Sequence, residues 1–296
     1  MYIINLKMKM FKICKDNIYK TFMYIFIVII VYIFVSVITR YLIQVNIPRE
    51  HSLNNSLFHD GYVLLDGIFD EQDIHAMRRY MKELNSEQLK SFLFAHEPLK
   101  QKLQQCISSS LLPAHEYEYQ DYILLLNKSQ IHTCHRDYNG DLYHKTKFPS
   151  FTLLIYLYDM DSCLDIIEKS HKHIRHMPYI TDISKHITCG IGDVLIFNSN
   201  LIHAGSVINK TESNPRIQMK FTHNDDRNVL SFYENYTKVI DDENHTSNIQ
   251  KHFIKHTTCQ HPFLFEFANN VTNGMNFKPP AWYTNLIYGN SNFFSK

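Results

Sequence analysis

The chain contains six cysteines, yet no two are spaced as CxxC. A structural zinc site or a thioredoxin-like motif is therefore unsupported. Glycine is scarce, with 8 in 296 residues, and no glycine-rich phosphate loop is present. No excess charge of one sign exists either: 30 Lys and Arg face 29 Asp and Glu, for a net charge of +1. That near-neutral balance argues against a general nucleic-acid binder, and no nucleic-acid partner is expected. Internal repeats and low-complexity tracts are also missing. What remains is an ordinary composition, 45% hydrophobic and 20% charged, sufficient for one sizeable packed domain with appendages.

The longest uncharged run is TFMYIFIVIIVYIFVSVIT, from Thr21 to Thr39. At about 1.5 Å per residue it reaches close to the roughly 30 Å of a bilayer core. Tyr19 and Tyr41 stand at its edges, where amphipathic rings favour the headgroup region. Two other readings fit less well. A buried core helix would show a polar stripe, and aromatic and β-branched residues cover every face here. A cleaved signal peptide would have a shorter apolar run, followed by a small-x-small site. Lys7, Lys9, Lys12, Lys15 and Lys20 precede the run, offset by Asp16, while Arg40 and Arg49 follow it. The positive-inside bias then puts the N-terminus in the cytosol and the remainder on the lumenal or extracellular side. Sequons at Asn54, Asn127, Asn209, Asn235, Asn244 and Asn270 agree with that placement. The chain is thus divided into a basic cytosolic tail (1–20), a single-pass anchor (21–43), a stem (44–58) and one large domain (59–296). Its motif-bearing core is 119–223, and 224–296 packs against it. Of the five cysteines beyond the anchor, at least one stays free or pairs between chains if they face an oxidising lumen.

Within the domain, Tyr62–Leu65 reads as a short strand. Asp70 is the N-cap of a helix whose buried face carries Ile74, Met77, Tyr80 and Met81. Leu89–Leu112 reads as further helix, ending near Pro113. From Tyr119 the pattern changes to short strands: Tyr122–Asn127, Phe151–Leu157, Asp193–Phe197 and Ile217–His223. The breaks between them are Asn139-Gly140-Asp141, Asp159–Asp161, Gly190–Asp193 and Asn214-Pro215. Repeated short strands with such turns suggest a sandwich or barrel. Phe263, Phe265 and Phe267 alternate like a half-buried strand packed on it.

The chemistry is concentrated in His135-Arg136-Asp137, followed by His203 and Arg216. Residues two apart on a strand share a face, so His135 and Asp137 point the same way. A histidine from another strand, His203, completes a two-histidine, one-carboxylate set that holds Fe(II) and leaves positions open for a cosubstrate and O2. Arg216 starts a strand whose alternate residues face inward, and a buried guanidinium can grip the far carboxylate of 2-oxoglutarate. The ordinary readings are a chance HxD triplet in a chain with 18 histidines and a surface salt bridge for Arg216. A kinase HRD loop is excluded, because Leu142 stands where that loop has asparagine and no DFG is present. His132, His171, His173 and His176 are read as surface or supporting groups.

Four stretches together resemble the phytanoyl-CoA dioxygenase family of Fe(II)/2-oxoglutarate oxygenases. HDGYVLLDGIFDEQDI is similar to the family's opening strand and helix, and LLNKSQIHTCHRD to the lead-in to its HxD motif. IIEKSHKH is similar to its GSHK-type segment, with Lys169 in place of glycine. GDVLIFNSNLIHAGSVINKTESNPR is similar to the region of its distal histidine and arginine. The resemblance implies a mainly β, double-stranded β-helix (jelly-roll, cupin-like) domain with flanking helices. It implies iron on His135, Asp137 and His203, and the cosubstrate carboxylate on Arg216. It also implies that Ser206 assists and that Tyr122 lines the same pocket. Gly205 occupies the place where a serine often helps.

The expected activity is hydroxylation of a C–H bond with conversion of 2-oxoglutarate and O2 to succinate and CO2. Candidate substrates are a small molecule, a lipid, a glycan or a protein side chain. The rivals are a non-catalytic jelly-roll display or binding module, and another cupin-type metal enzyme such as an isomerase.

Overall fold

The computed structural model describes residues 2–291, except 44, 112, 128–130, 138–143, 174–181, 208–214 and 263–279, with side chains from residue 17 onward. The turn at 139–141, the alternation at 263–267, His176 and the sequons at Asn209 and Asn270 lie outside the described residues.

A helix, α1 (Tyr2–Leu42), leads into the domain. By length and composition, its segment Asn17–Leu42 is long and apolar enough to cross a membrane, and it is largely exposed. The expected stem is folded onto the domain. Its β1 (Val45–Ile47) runs parallel to β7 (Lys185–Cys189), and its α2 (Arg49–Leu53) starts after Pro48. Arg49 fastens the segment through two bonds of 2.7 Å to the buried Asp193 carboxylate.

Strand β2 (Tyr62–Leu65) is followed by α3 (Glu71–Lys82). The Asp70 side chain accepts from the Gln72 and Asp73 amides, and Asp73 returns a bond to the Asp70 amide. This reciprocal cap fixes the start of the helix. The stretch 89–112 is two helices, α4 (Ser86–Ala95) and α5 (Glu97–Ser110), broken at His96. Pro98 accounts for the break, because proline suits only the first turn of a helix.

The remaining strands are β3 (Tyr117–Tyr119), β4 (Tyr122–Leu126), β5 (Phe151–Tyr156), β6 (Met160–Ile166), β7, β8 (Val194–Asn198), β9 (His203–Gly205), β10 (Arg216–His223) and β11 (Tyr236–Ile240). They form two sheets. The larger has the order β11-β4-β10-β5-β8-β2, with β3 also on β10. The smaller has the order β1-β7-β6-β9, and His135 bridges to its β9 edge at His203. The chain crosses between the sheets from β5 to β6 and at each step from β7 to β10, and the central pairings are antiparallel. This order is consistent with a jelly-roll domain. The last helices are α6 (Asn248–Gln260) and α7 (Ala281–Tyr288).

Alternation on the central strands separates two interiors. Ile123, Leu125, Leu153, Ile155, Ile196, Ile217, Met219 and Phe221 pack against the buried faces of α3–α5. The opposite faces of the same strands turn toward the small sheet and enclose the polar site. Two disulfides, Cys134–Cys259 and Cys163–Cys189, have Cα separations of 4.8 and 6.2 Å, within the range a bridge spans. Cys106 is free and buried, and burial pushes its thiol up to about 12.

Candidate metal centre

His135 follows the end of β4 by nine residues and is drawn to β9 by two backbone bonds of 2.9 Å, one in each direction, with His203. Their rings lie 4.4 Å apart between centroids. Asp137 is anchored by its amide, which donates to the Ser199 carbonyl at 2.8 Å. One ligand atom from each of His135, Asp137 and His203 lies within 4.8 Å of the others, and all three residues are buried. Among the described residues no other group of three histidine, cysteine or acidic side chains is so placed.

The two histidines are held in matching ways. His135 Nδ1 is 2.8 Å from the Thr133 carbonyl, and His203 Nδ1 is 2.9 Å from the Leu201 carbonyl. A carbonyl only accepts, so each ring carries a proton on Nδ1, and in the neutral form this leaves the Nε2 lone pair to a metal. His203 Nε2 lies 3.7 Å from Asp137 Oδ1. Burial pulls the His203 imidazolium down, against Asp137, which favours the neutral ligand form. Burial would raise the Asp137 carboxyl, but the Lys220 ammonium, both imidazoles and the Thr152 hydroxyl hold it well below the usual carboxylate range. A neutral His203 and an ionised Asp137 are protonation states that a divalent cation requires.

Lys220 and Thr152 are the residues that the sequence reading did not single out. Lys220 Nζ donates to Asp137 Oδ2 at 2.9 Å, and Thr152 donates to the same oxygen. The two residues are cross-strand partners on β10 and β5. Together they engage Oδ2 and leave Oδ1 as the oxygen nearest His203. The signal was present in β10, where Arg216, Gln218, Lys220 and Thr222 occupy every second position and share a face.

Arg216 is buried and lines one cavity with the triad and Gln218. Its backbone pairs with Leu126 and Tyr156. Burial pulls its guanidinium down, against the neighbouring Tyr156. The cavity walls are otherwise apolar, with Leu124, Leu154, Leu164 and Phe197 among them. Its free volume is about 30 Å3, room for one or two waters. The donor set therefore suits a metal ion as it stands, whereas a five-carbon diacid needs more room than this cavity holds. A wider cleft of about 900 Å3, bordered by Arg78, Arg79, Tyr158 and Pro215, contains none of the triad. The metal reading rests on donor chemistry, not on cavity size.

Ser206 is not brought to this cavity. His203 and Gly205 face it, so Ser206 turns to the other side and donates to Asp165 Oδ1 at 2.6 Å. There it joins a buried group in which His186 and Lys255 also bond Asp165. Gly205 packs under the backbone of residue 131, where a Cβ would come within 3.1 Å of the Ile131 carbonyl oxygen. Tyr122 shares the inward face with Leu124 and Leu126 but stacks on Tyr236 at 4.7 Å, and its ring lies 5.4 Å from Lys220 Nζ. It flanks the lysine and is not among the residues lining the cavity. His132 is bonded to Asn244, and His171 lies against the Phe58 carbonyl.

No protein-family model matches the chain, and no curated protein matches its sequence. Among solved structures it is similar to HygX from Streptomyces hygroscopicus with nickel and 2-oxoglutarate bound: 16% identity, TM-score 0.37, covering 57% of this chain and 84% of that one. EvdO2 from Micromonospora carbonacea var. aurantiaca, complexed with 2-oxoglutarate, shows 12% identity and a TM-score of 0.41, covering 60% and 92%. The non-heme alpha ketoglutarate dependent epimerase SnoN from nogalamycin biosynthesis shows 13% identity and a TM-score of 0.43, covering 58% and 82%. At these scores the likenesses assign neither substrate nor reaction. The class of site is defined by the residues themselves: a buried two-histidine, one-carboxylate set between two β-sheets, with an arginine in the same cavity.

Proposed function

We propose that this chain is a membrane-anchored Fe(II)/2-oxoglutarate-dependent dioxygenase that hydroxylates a C–H bond and releases succinate and CO2. The observation that carries the reading is the triad His135, Asp137 and His203, with both imidazoles fixed in the ligand tautomer and Arg216 on the same cavity. Bound Fe(II) and 2-oxoglutarate supply the oxidising power from O2. The chain's own residues do the placing. The triad holds the cation on one side and leaves the opposite side open. Arg216 takes the far carboxylate in a charge-assisted pair. The apolar walls keep water from the reacting carbon.

Several features support a lumenal or extracellular domain. The lysines lie before the apolar span, and the domain carries two disulfides, which persist in oxidising compartments. A membrane lipid, a glycan or a secretory protein side chain suits that side better than an acyl-CoA ester. One observation favours a non-catalytic display module instead, namely the small cavity beside Arg216. Detergent-solubilised full-length chain given Fe(II), ascorbate and 2-oxoglutarate separates the two. Slow succinate release that disappears in His203→Ala supports the oxygenase. An iron-loaded protein that forms no succinate with any extract of the compartment supports the display module.

A further inference from the structure

We propose that α6 and α7 form a membrane-seating face, resting in the bilayer leaflet on the domain's side and holding the metal centre at the membrane surface. The proposal rests on reading α1 as an anchor.

The outward sides of these helices are apolar. Ile249 is 82% exposed and Phe253 47%, one turn apart on α6; Trp282 is 69% exposed and Leu286 58%, one turn apart on α7. They are not slack ends of a core, since Thr284, Ile287 and Tyr288 on the other face of α7 fill the interior. The two helices are tied where Gln250 Nε2 donates to the Leu286 carbonyl at 2.9 Å. Charge is arranged in reverse. Both lysines of α6, Lys251 and Lys255, are buried, Lys255 against Asp165, and α7 contains no charged residue. Lysine is almost never fully buried unless paired, and the Asp165 carboxylate holds Lys255 inward, which leaves the outer side of α6 without a lysine. A face with its lysines inside and Ile, Phe, Trp and Leu outside matches the headgroup–acyl boundary, where tryptophan concentrates.

The anchor adjoins the same face. Positions 249, 253, 256 and 260 follow one another along one side of α6. At its far end Gln260 accepts from Ser36 and Arg40 at 3.0 Å and donates to the Tyr32 hydroxyl at 3.2 Å. The Tyr41 ring meets His252 at 5.3 Å and His256 at 6.4 Å. Tyr32 to Tyr41 is about 14 Å of helix, and it lies within the apolar segment Asn17–Leu42. A domain docked that far along the span is at the level of the leaflet rather than above it. The exposed residues of α6 continue the surface that the anchor covers, so the bilayer is their occupant. The metal centre is close by. Cys134, beside His135, is bridged to Cys259, beside Gln260, which places the His135 and Gln260 Cα atoms no more than about 12 Å apart. Substrates carried by the membrane are then the ones within reach.

Trp282 is the only tryptophan in the chain, so its emission reports on this face without labelling. Full-length protein is reconstituted into phosphatidylcholine vesicles, floated on a density gradient, and measured with acyl chains brominated near the headgroup or near the terminal methyl. The expected result is flotation, blue-shifted emission and loss of most of that emission to bromines near the headgroup. Flotation with solvent-like, unquenched emission overturns the seating face while leaving the anchor intact. Flotation with blue-shifted emission that no bromolipid quenches also overturns it, and assigns the face to a second copy of the chain. Failure to float contradicts the anchor reading, and the seating face falls with it. None of these outcomes depends on the oxygenase activity.

Discussion

Lys220 Nζ lies 2.9 Å from Asp137 Oδ2, with both side chains buried. The pair has two consequences. It keeps a carboxylate ionised in an apolar interior, and it places a cation beside the position where a second cation is expected. Lys220→Met is therefore expected to leave Asp137 as an uncompensated buried charge and to destabilise the metal-free protein by about 3–5 kcal/mol. Added Mn(II), an inert stand-in for Fe(II), restores that charge balance. Melting curves with and without Mn(II) should show a larger metal-induced gain in the variant than in wild type. An equal gain in both would show that the metal does not contact Asp137.

Thr152 carries no charge, so its removal loosens Asp137 without leaving that carboxylate bereft of its cation. Thr152→Val removes the hydroxyl that bonds Asp137 Oδ2 and nearly conserves volume. Loss of a partner that orients a ligand typically costs ten- to hundredfold in metal affinity. Equilibrium titration of Mn(II) should show a drop of about that size, and unchanged affinity would remove Thr152 from the account.

The pH dependence of stability follows from α6. His256 is buried, and its two ring nitrogens have no hydrogen-bond partner among the described residues. Burial, reinforced by Lys255, pushes His256 down to about 2 and His252 down to about 4, from an ordinary value of 6.5. An unfolded chain takes up these protons first, so stability is complete above about pH 6.5 and declines as pH falls from there through about 4. Asp137, held lower still, contributes its loss only in stronger acid. Calorimetric melting temperatures of wild type should fall across that window, and His256→Phe should flatten the slope. Parallel slopes would place the titration elsewhere.

Topology can be read from the sequons. Asn54 and Asn235 are exposed, whereas Asn244 is buried with its amide 2.8 Å from His132 Nδ1. A folded lumenal domain has room for glycans at the first two and none at the third. Peptide mass mapping after endoglycosidase treatment should find Asn54 and Asn235 converted and Asn244 intact. Unmodified Asn54 and Asn235 in a chain passed through the secretory pathway would put the domain on the other side of the membrane.

Most strands of the large sheet were legible because they alternate cleanly or run fully apolar, as in Tyr62–Leu65, Phe151–Tyr156 and Arg216–His223, whereas its short β3 and its edge strand β11 were not. The capped start of α3 was legible from Asp70 and Asp73. The small sheet was not. Asp161, Asp165, His186 and Thr188 interrupt β6 and β7 and read as surface, yet Asp165 and His186 are buried partners. The Asp165 carboxylate is matched by Lys255, 90 residues along the chain, and no local pattern announces such a pairing. At the site, the HxD spacing and the distal histidine brought out the triad. Strand parity held information that the resemblance overrode: counting by two from His203 reaches Gly205 and excludes Ser206. Counting by two from Arg216 reaches Lys220.

The central claim is tested most directly by anaerobic visible spectroscopy of the full-length chain, with Fe(II) added first and 2-oxoglutarate second. Chelation of the iron by the keto acid should give a weak charge-transfer band, absent in His203→Ala and reduced in Arg216→Ala. A folded, iron-loaded protein with no band would contradict the 2-oxoglutarate assignment, and a protein that binds no iron would contradict the metal centre itself.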